Sequence, residues 1–183
     1  CLSEKCQAIV EDRGIDSLYL PLGTSAFEPL DLKRDGIGYA GSKGHKSEKK
    51  IKNLFGRYRG EDDFEWVNSL VTPTQLNLWY NTREATFGLT REGQKKYGMV
   101  NNRVFETLAS GTPLILEPHD NVNSVLGFEY PYQPESASEA QRMVKKIRSN
   151  PDQTQEEFQK ISEKVREEHS YTERVNKVIS YLQ

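Results

Sequence analysis

Short apolar runs in the middle of the chain alternate with segments in which apolar residues recur at helical spacing. Such runs predict buried strands, at 37–40, 64–67, 85–90, 114–116 and 130–132. Strands that alternate with helices are typical of a parallel sheet covered by helices on both faces. The pattern therefore predicts an α/β fold with a doubly wound, Rossmann-like parallel sheet.

The two ends of the chain carry a different pattern. A helix is predicted over 2–13, closed by Gly14, and a strand over 17–22 is followed by a linker that reaches residue 36. From residue 136 onward the spacing is helical to the end, so we expect a helical C-terminal tail after the sheet.

Composition and charge narrow the class of protein. The chain has 183 residues, a formal net charge of −2, nine Tyr and seven Phe, which indicates one ordered domain with its own hydrophobic core. Both signs of charge are interspersed, so no nucleic-acid partner is predicted. No apolar run is long enough to span a bilayer, and no signal peptide is recognisable.

The two cysteines indicate the compartment. Cys1 and Cys6 lie together at the N-terminus, whereas a disulfide framework spreads its cysteines along the chain. We interpret them as reduced thiols of a cytoplasmic protein; the alternative, a zinc site, lacks further His or Cys partners. The chain also opens on Cys instead of Met, which we interpret as the start of a fragment or a domain boundary.

The first candidate binding segment follows the strand at 37–40. It contains Gly41, Ser42, Lys43 and Lys46, and it precedes a helix predicted over 48–56 with Ser47 as its N-cap. Glycines let the backbone approach a phosphate, and a helix N-terminus favours negative charge. The spacing matches neither the Walker A nor the dinucleotide fingerprint, so a solvated turn is the alternative.

The second candidate segment is a polar loop, Asn101-Asn102, that enters a helix over 103–110. Arg103 and Glu106 share one face of this helix. Its N-terminus is suited to a diphosphate, and Glu106 to accept from a ribose diol. Alternatively, Glu106 is a first-turn acid that favours the helix dipole and pairs with Arg103.

Ligands of doubly wound sheets bind at the carboxyl ends of the strands. Val71 and Thr90 therefore join the candidate site, because they lie in loops at that edge, which are predicted at 41–47, 68–73, 90–102 and 117–124. In the last of these loops, His119 and Asp120 raise the question of a metal site. A second His or a third carboxylate at ligand spacing is lacking, so we predict no metal there.

Three stretches together resemble the C-terminal donor domain of glycosyltransferases of the GT-B fold. Residues 103–113 match that family's Arg-x-Phe-Glu-x-x-Ala-x-Gly-x-Pro pattern. Residues 19–23 are similar to the crossing between the two domains in the spore-maturation-protein-like branch. Residues 169–174 are similar to the His-x-Tyr-x-x-Arg ending of the same branch.

The resemblance implies a donor domain, numbered 1–183, that binds a nucleotide-diphosphate sugar without a cofactor or metal. It assigns Glu106 to the ribose, 101–103 to the diphosphate, 41–46 to the first donor-side loop and 68–73 to the base. The acceptor-binding N-terminal domain is expected to be absent. The full-length protein would then be a hexosyl-type transferase, and the isolated chain inactive.

One position departs from the family pattern. Gly98 stands where many retaining members have a second glutamate, so the resemblance does not fix retention or inversion.

Two alternatives to a transferase stay open: a sugar-nucleotide epimerase of the same fold, and a non-enzymatic interaction module. The tail after Tyr171 is apolar on more than one side, which predicts an exposed patch formed with residues 1–13. Two ways of covering this patch stay open, self-association and a rearranged tail.

Overall fold

The computed structural model describes residues 1–42, 44–57, 62–68 and 72–183. Its sheet has four parallel strands in the order β2-β1-β3-β4. The strands are β1 (Ile37–Ala40), β2 (Phe64–Val67), β3 (Ala85–Gly88) and β4 (Leu114–Leu116). The four central strands predicted from the apolar runs are thereby confirmed.

Helices connect and follow the strands. They are α1 (Glu4–Glu11), α2 (His45–Lys50), which continues as a π-helical turn (Ile51–Phe55), α3 (Pro73–Asn81), α4 (Glu92–Lys96), α5 (Asn102–Ala109), α6 (Val122–Leu126), α7 (Ala137–Ser149), α8 (Pro151–Glu168) and α9 (Tyr171–Leu182). Among the helices in the described ranges, none is long and apolar enough to cross a membrane.

Helices pack on both faces of the sheet. On one face, the ring of Phe55 stacks on that of Phe87, with centroids 4.2 Å apart. On the other face, Trp79 of α3 lies against Gly38, where a Cβ atom would approach the indole to 2.4 Å. The doubly wound arrangement is therefore confirmed, and Gly38 is small because the indole occupies the space of a side chain.

The helical tail is part of the core. Phe158 and Val165 of α8 are fully buried, and the Ser162 hydroxyl donates to the carbonyl of Ala109 in α5 at 2.6 Å. The charge-rich sequence of α8 is thus one solvated face of a helix whose other face closes the domain. The predicted C-terminal helical tail is confirmed.

The predicted strand at 17–22 is wrong, because its backbone groups have other partners. The carbonyl of Leu18 accepts from the N-terminal ammonium of Cys1 at 2.6 Å, and the amide of Leu20 donates to the Cys1 carbonyl at 2.7 Å. The carbonyls of Pro21 and Leu22 accept from the guanidinium of Arg174 at 2.8 and 3.2 Å. The segment has no regular secondary structure and joins no sheet.

The short strand predicted at 130–132 is also wrong. The Tyr132 carbonyl does accept from the amide of Leu116 in β4 at 2.9 Å. Pro131 has no amide hydrogen to continue a ladder, so this one bond does not extend into a strand. Tyr130 donates its hydroxyl to the Leu114 carbonyl instead, and its ring is buried in the core.

Candidate functional site

The strand order creates a cleft at the carboxyl edge of the sheet. From β1 the chain passes to β2 on one side and then to β3 on the other side of β1. The loops that follow β1 and β3 therefore diverge at this switch point, which is where open α/β sheets bind ligands. Together with the start of the loop after β4 they line a cleft of about 1180 Å³.

Most of the predicted site residues lie in this cleft. Its lining includes Gly41, Ser42, Lys46, Thr90, Asn101, Asn102 and Arg103. Glu106 is not part of the lining that the structure describes, although its two hydrogen-bond partners are. Lys43 and Val71 lie outside the described residues, as does part of the 68–73 loop.

The loop after β1 is held close to the sheet. The Gly41 carbonyl accepts from the indole of Trp66 at 3.0 Å, and its amide donates to the Val67 carbonyl at 2.9 Å. The phenol of Tyr39 lies over Gly41, so a Cβ atom at this position would come within 2.3 Å of the hydroxyl oxygen. A larger residue at position 41 would therefore displace the Tyr39 phenol.

The helix after this loop begins earlier than its sequence indicates. Gly44 is the N-cap residue and α2 starts at His45, so the predicted cap at Ser47 is wrong. The Ser47 side chain hydrogen-bonds to Tyr39 instead. Burial raises the pKa of Tyr39 above its ordinary value, and the bond to Ser47 partly opposes that shift.

Asn101 joins the two other loops of the cleft, and its predicted position at the start of the helix is confirmed. Its side-chain oxygen accepts from the amide of Arg103 at 3.0 Å, which caps α5. Its side-chain nitrogen donates to the carbonyl of Leu89 at 3.0 Å, in the loop after β3. One side chain thus fixes the N-terminus of α5 against the edge of the sheet.

Glu106 is paired inside α5. One carboxylate oxygen accepts from Arg103 at 2.8 Å and the other from Asn102 at 3.1 Å. The side chain is 12% exposed, against 45% for Arg103. Since α5 begins at Asn102, Glu106 lies beyond its first turn, and the interpretation as a first-turn acid is wrong. The ion pair is present, and a carboxylate has room for about two more acceptor contacts.

A cluster of charged side chains lines the cleft, and it was not predicted from the sequence. Lys50 donates to Glu117 at 2.8 Å and to the carbonyl of Thr90 at 3.3 Å, and it also pairs with Glu92 at 2.7 Å. Glu117 in turn accepts from the amide of Thr90 at 3.0 Å. Lys50 and Glu117 are 67 positions apart, and no local spacing signals their contact; only the place of Glu117 after a strand could have suggested it.

His119 has a structural role in this structure. It is buried; one ring nitrogen is 3.1 Å from the Met99 carbonyl, and the other accepts from the amide of Asn121 at 3.2 Å. Within the described ranges, no three His, Cys, Asp or Glu side chains come together in a way that could hold a metal ion.

The backbone conformation at position 98 explains why glycine stands there instead of the glutamate of the family pattern. Its φ is +69°, and a Cβ atom would lie 3.0 Å from the Asn121 side chain. Left-handed backbone favours glycine. A glutamate at this position would require a different path of the loop between α4 and α5.

The cleft concentrates positive charge in a protein whose net charge is −2. Its described lining carries six lysines and arginines, Lys46, Lys49, Lys50, Arg91, Lys95 and Arg103, against two glutamates, Glu92 and Glu117. The N-terminus of α5 adds the positive end of a helix dipole. The arrangement is suited to an anionic ligand.

Comparison with solved structures shows proteins of similar fold. In structure, the chain is similar to sucrose-phosphate synthase from Thermosynechococcus elongatus, with a TM-score of 0.66 and 14% identity over 99% of this chain and 56% of that protein. It also matches the glycosyltransferase SnogD from Streptomyces nogalater, with a TM-score of 0.45 and 14% identity over 98% of this chain and 54% of that one. The chain thus spans just over half the length of these structures.

No curated protein matches the chain significantly in sequence. The profile of the family described as glycosyl transferase-like matches residues 44–180. This range contains β2, β3 and β4, the cleft loops that follow β3 and β4, and nearly all of the C-terminal helices, whereas β1 precedes it. The chain belongs to the glycosyl transferase-like family.

Proposed function

We propose that the chain binds the nucleotide-sugar donor of a glycosyltransferase and that the donor's diphosphate lies in the cleft. The observation that carries this proposal is the excess of lysine and arginine on the cleft lining, at the carboxyl edge of a doubly wound sheet. Positive side chains and a helix N-terminus attract phosphate groups. Asn101, Asn102 and Arg103 stand at that helix N-terminus, and Gly41, Ser42 and Lys46 face it across the cleft.

The chemistry assigned to these groups is leaving-group stabilisation. When the sugar is transferred, negative charge develops on the diphosphate, and fixed positive charge at its oxygens lowers the barrier. We propose that lysine and arginine fulfil this role and that no metal ion is required. We further propose that a hexosyl group is transferred, that another domain binds the acceptor, and that this chain alone shows no turnover.

Calorimetry with UDP, GDP, ADP and TDP tests the proposal directly. At least one of the four is expected to bind at millimolar concentration or below, and the matching nucleoside, which lacks phosphates, is expected to bind more weakly. Raising the salt concentration should weaken binding, because the contacts are ionic. If none of the four binds at millimolar concentration, the donor site is wrong and an interaction module is favoured.

Glu106→Ala is expected to weaken binding of the preferred nucleotide by about 1.5–3 kcal/mol, the range for a hydrogen bond to a charged group. Glu106→Gln keeps an acceptor but loses the charge, so its affinity should lie between those of the wild type and the alanine variant. Glu156→Ala is the matched control, since it removes an exposed ion pair with Lys160 outside the cleft. A loss of stability with unchanged nucleotide affinity would show that Glu106 serves only its pair with Arg103.

We also propose that the outer face of α9 contacts the acceptor-binding domain. Val175, Ile179 and Leu182 form one exposed stripe on this helix. Near its end, Tyr181 hydrogen-bonds to Asp16, beside the exposed Ile15. An apolar helix face is ordinarily buried against another surface. Self-association through the same face stays a prediction.

A further inference from the structure

Lys50 is held by three acceptors at the mouth of the cleft. Its ammonium lies 2.8 Å from Glu117, 2.7 Å from Glu92 and 3.3 Å from the carbonyl of Thr90. An ammonium has three hydrogens, so these contacts use all of them. Lys50, Glu92 and Glu117 all line the cleft, and any anion that reaches Lys50 must replace one of its partners.

The two carboxylate partners differ in how firmly they are held. The Glu117 side chain is 11% exposed, and its second oxygen accepts from the Thr90 amide at 3.0 Å. The Glu92 side chain is 72% exposed, and Lys50 is its one ion-pair partner among the described residues. Exposed ion pairs contribute little because water screens them. Glu92 is therefore the replaceable partner and Glu117 the fixed one.

Glu117 also determines where the ammonium lies. Its carboxylate bridges Lys50 and the backbone of the loop after β3, and Lys95 approaches the same oxygen to 3.6 Å. Burial alone would lower the pKa of Lys50, but the hydrogen bonds to Glu117 and Glu92 raise it above its ordinary value. The lysine thus carries its charge, and the two carboxylates balance the charges of Lys50 and Lys95.

We propose that Lys50 binds a phosphate oxygen of the ligand by exchanging Glu92 for it, while Glu117 keeps the ammonium in place as a positioning residue. The identity of that ligand rests on the proposed function. A diphosphate carries more negative charge than one carboxylate, and Glu92 can turn into solvent from the first residue of the short helix α4. After the exchange, the ammonium of Lys50 is paired with Glu117 and the phosphate, and Glu92 is solvated. No charge is left buried without a partner, which would be costly.

The experiment uses inorganic pyrophosphate as the probe, with calorimetry on the wild type, four single variants and one double variant. Lys50→Met is expected to weaken pyrophosphate binding about tenfold or more, the equivalent of one charged hydrogen bond. Glu92→Gln is expected to strengthen it about two- to threefold, because the competing carboxylate is gone. Lys160→Met is the matched control, since Lys160 pairs with an exposed glutamate away from the cleft, and it should leave the affinity unchanged.

Glu117→Gln tests the positioning role. It is expected to weaken pyrophosphate binding in the wild-type background and to have no further effect in the Lys50→Met background, because it acts through Lys50. A general structural role would weaken binding equally in both backgrounds. Thermal unfolding of each variant checks that the cleft is folded when the affinity is measured.

The inference is overturned if pyrophosphate does not bind, if Lys50→Met leaves its affinity unchanged, or if Glu92→Gln fails to increase it. Binding that depends on Lys50 and is strengthened by Glu92→Gln supports it. Failure of the proposed function looks different: pyrophosphate then binds through Lys50, but no nucleoside diphosphate binds more tightly than pyrophosphate does.

Discussion

Replacement of Arg174 by methionine is expected to lower the free energy of unfolding by about 3–5 kcal/mol. The residue is 4% exposed, and its guanidinium donates to the carbonyls of Pro21, Leu22 and Glu168 at 2.8, 3.2 and 3.2 Å. It also donates to the ring of His169 at 2.8 Å. Methionine fills much of the same volume but leaves these buried acceptors without a donor.

Chemical denaturation of the variant and the wild type measures this loss. Arg174→Lys should fall between them, because one ammonium cannot reach all the acceptors of a planar guanidinium. Arg142→Met, an exposed arginine of α7, is the control and should change stability little. A loss below about 1 kcal/mol for Arg174→Met would mean that water replaces the guanidinium at these carbonyls.

Arg174 explains why two of the stretches that resemble the family occur together. The first, 19–23, lies directly against the second, 169–174: besides the guanidinium contacts, the Thr24 amide donates to the His169 carbonyl at 2.9 Å. A Cβ atom at Gly23 would come within 2.4 Å of that carbonyl oxygen. Burial and the charge of Arg174 lower the pKa of His169, which keeps the ring neutral and able to accept.

The sequence revealed the helices at the two ends but not this contact. Its apolar run predicted a strand at 17–22 because periodicity registers burial, and these residues are largely half-buried. Periodicity does not show which groups form hydrogen bonds with the backbone amides and carbonyls of a segment. Here a side chain more than 150 positions away supplies donors to two of its carbonyls, and the segment does not join the sheet.

In the candidate site, too, the sequence predicted the position of the loops but not the contacts between distant residues. The loops could be placed from the sequence, because parallel strands bring their carboxyl ends to one edge, and seven of the predicted residues line the cleft. The cap at Ser47 failed because the helix already begins at His45, with Gly44 as its N-cap residue. The pairing of Lys50 with Glu117 depends on the order of the strands, which a linear pattern does not contain.

Two apolar stripes in the C-terminal helices look alike in the sequence and differ in the structure. Phe158 and Val165 of α8 are fully buried, whereas Ile179 of α9 is 49% exposed. Helical spacing indicates which residues share a face but not whether another element covers it. Here α5 covers the stripe of α8, and no described residue buries the outer stripe of α9.

Phe158→Ala should therefore lower the free energy of unfolding by about 3–5 kcal/mol, the cost of a large cavity in a packed core. The ring is 0% exposed and lies 5.2 Å from that of Tyr132, so its removal unpacks the contact between α8 and the loop beside β4. Ile179→Ala should change stability by about 0.5 kcal/mol or less, as at other exposed positions.

Denaturant unfolding of both variants at low protein concentration measures the difference, and sedimentation at several concentrations shows whether Ile179→Ala changes association. Equal losses from the two substitutions would show that the outer stripe of α9 is buried in solution, by a second copy or by a rearranged tail. A large loss confined to Phe158→Ala would show that α8 belongs to this domain's core. It would also leave the stripe of α9 open to the acceptor-binding domain.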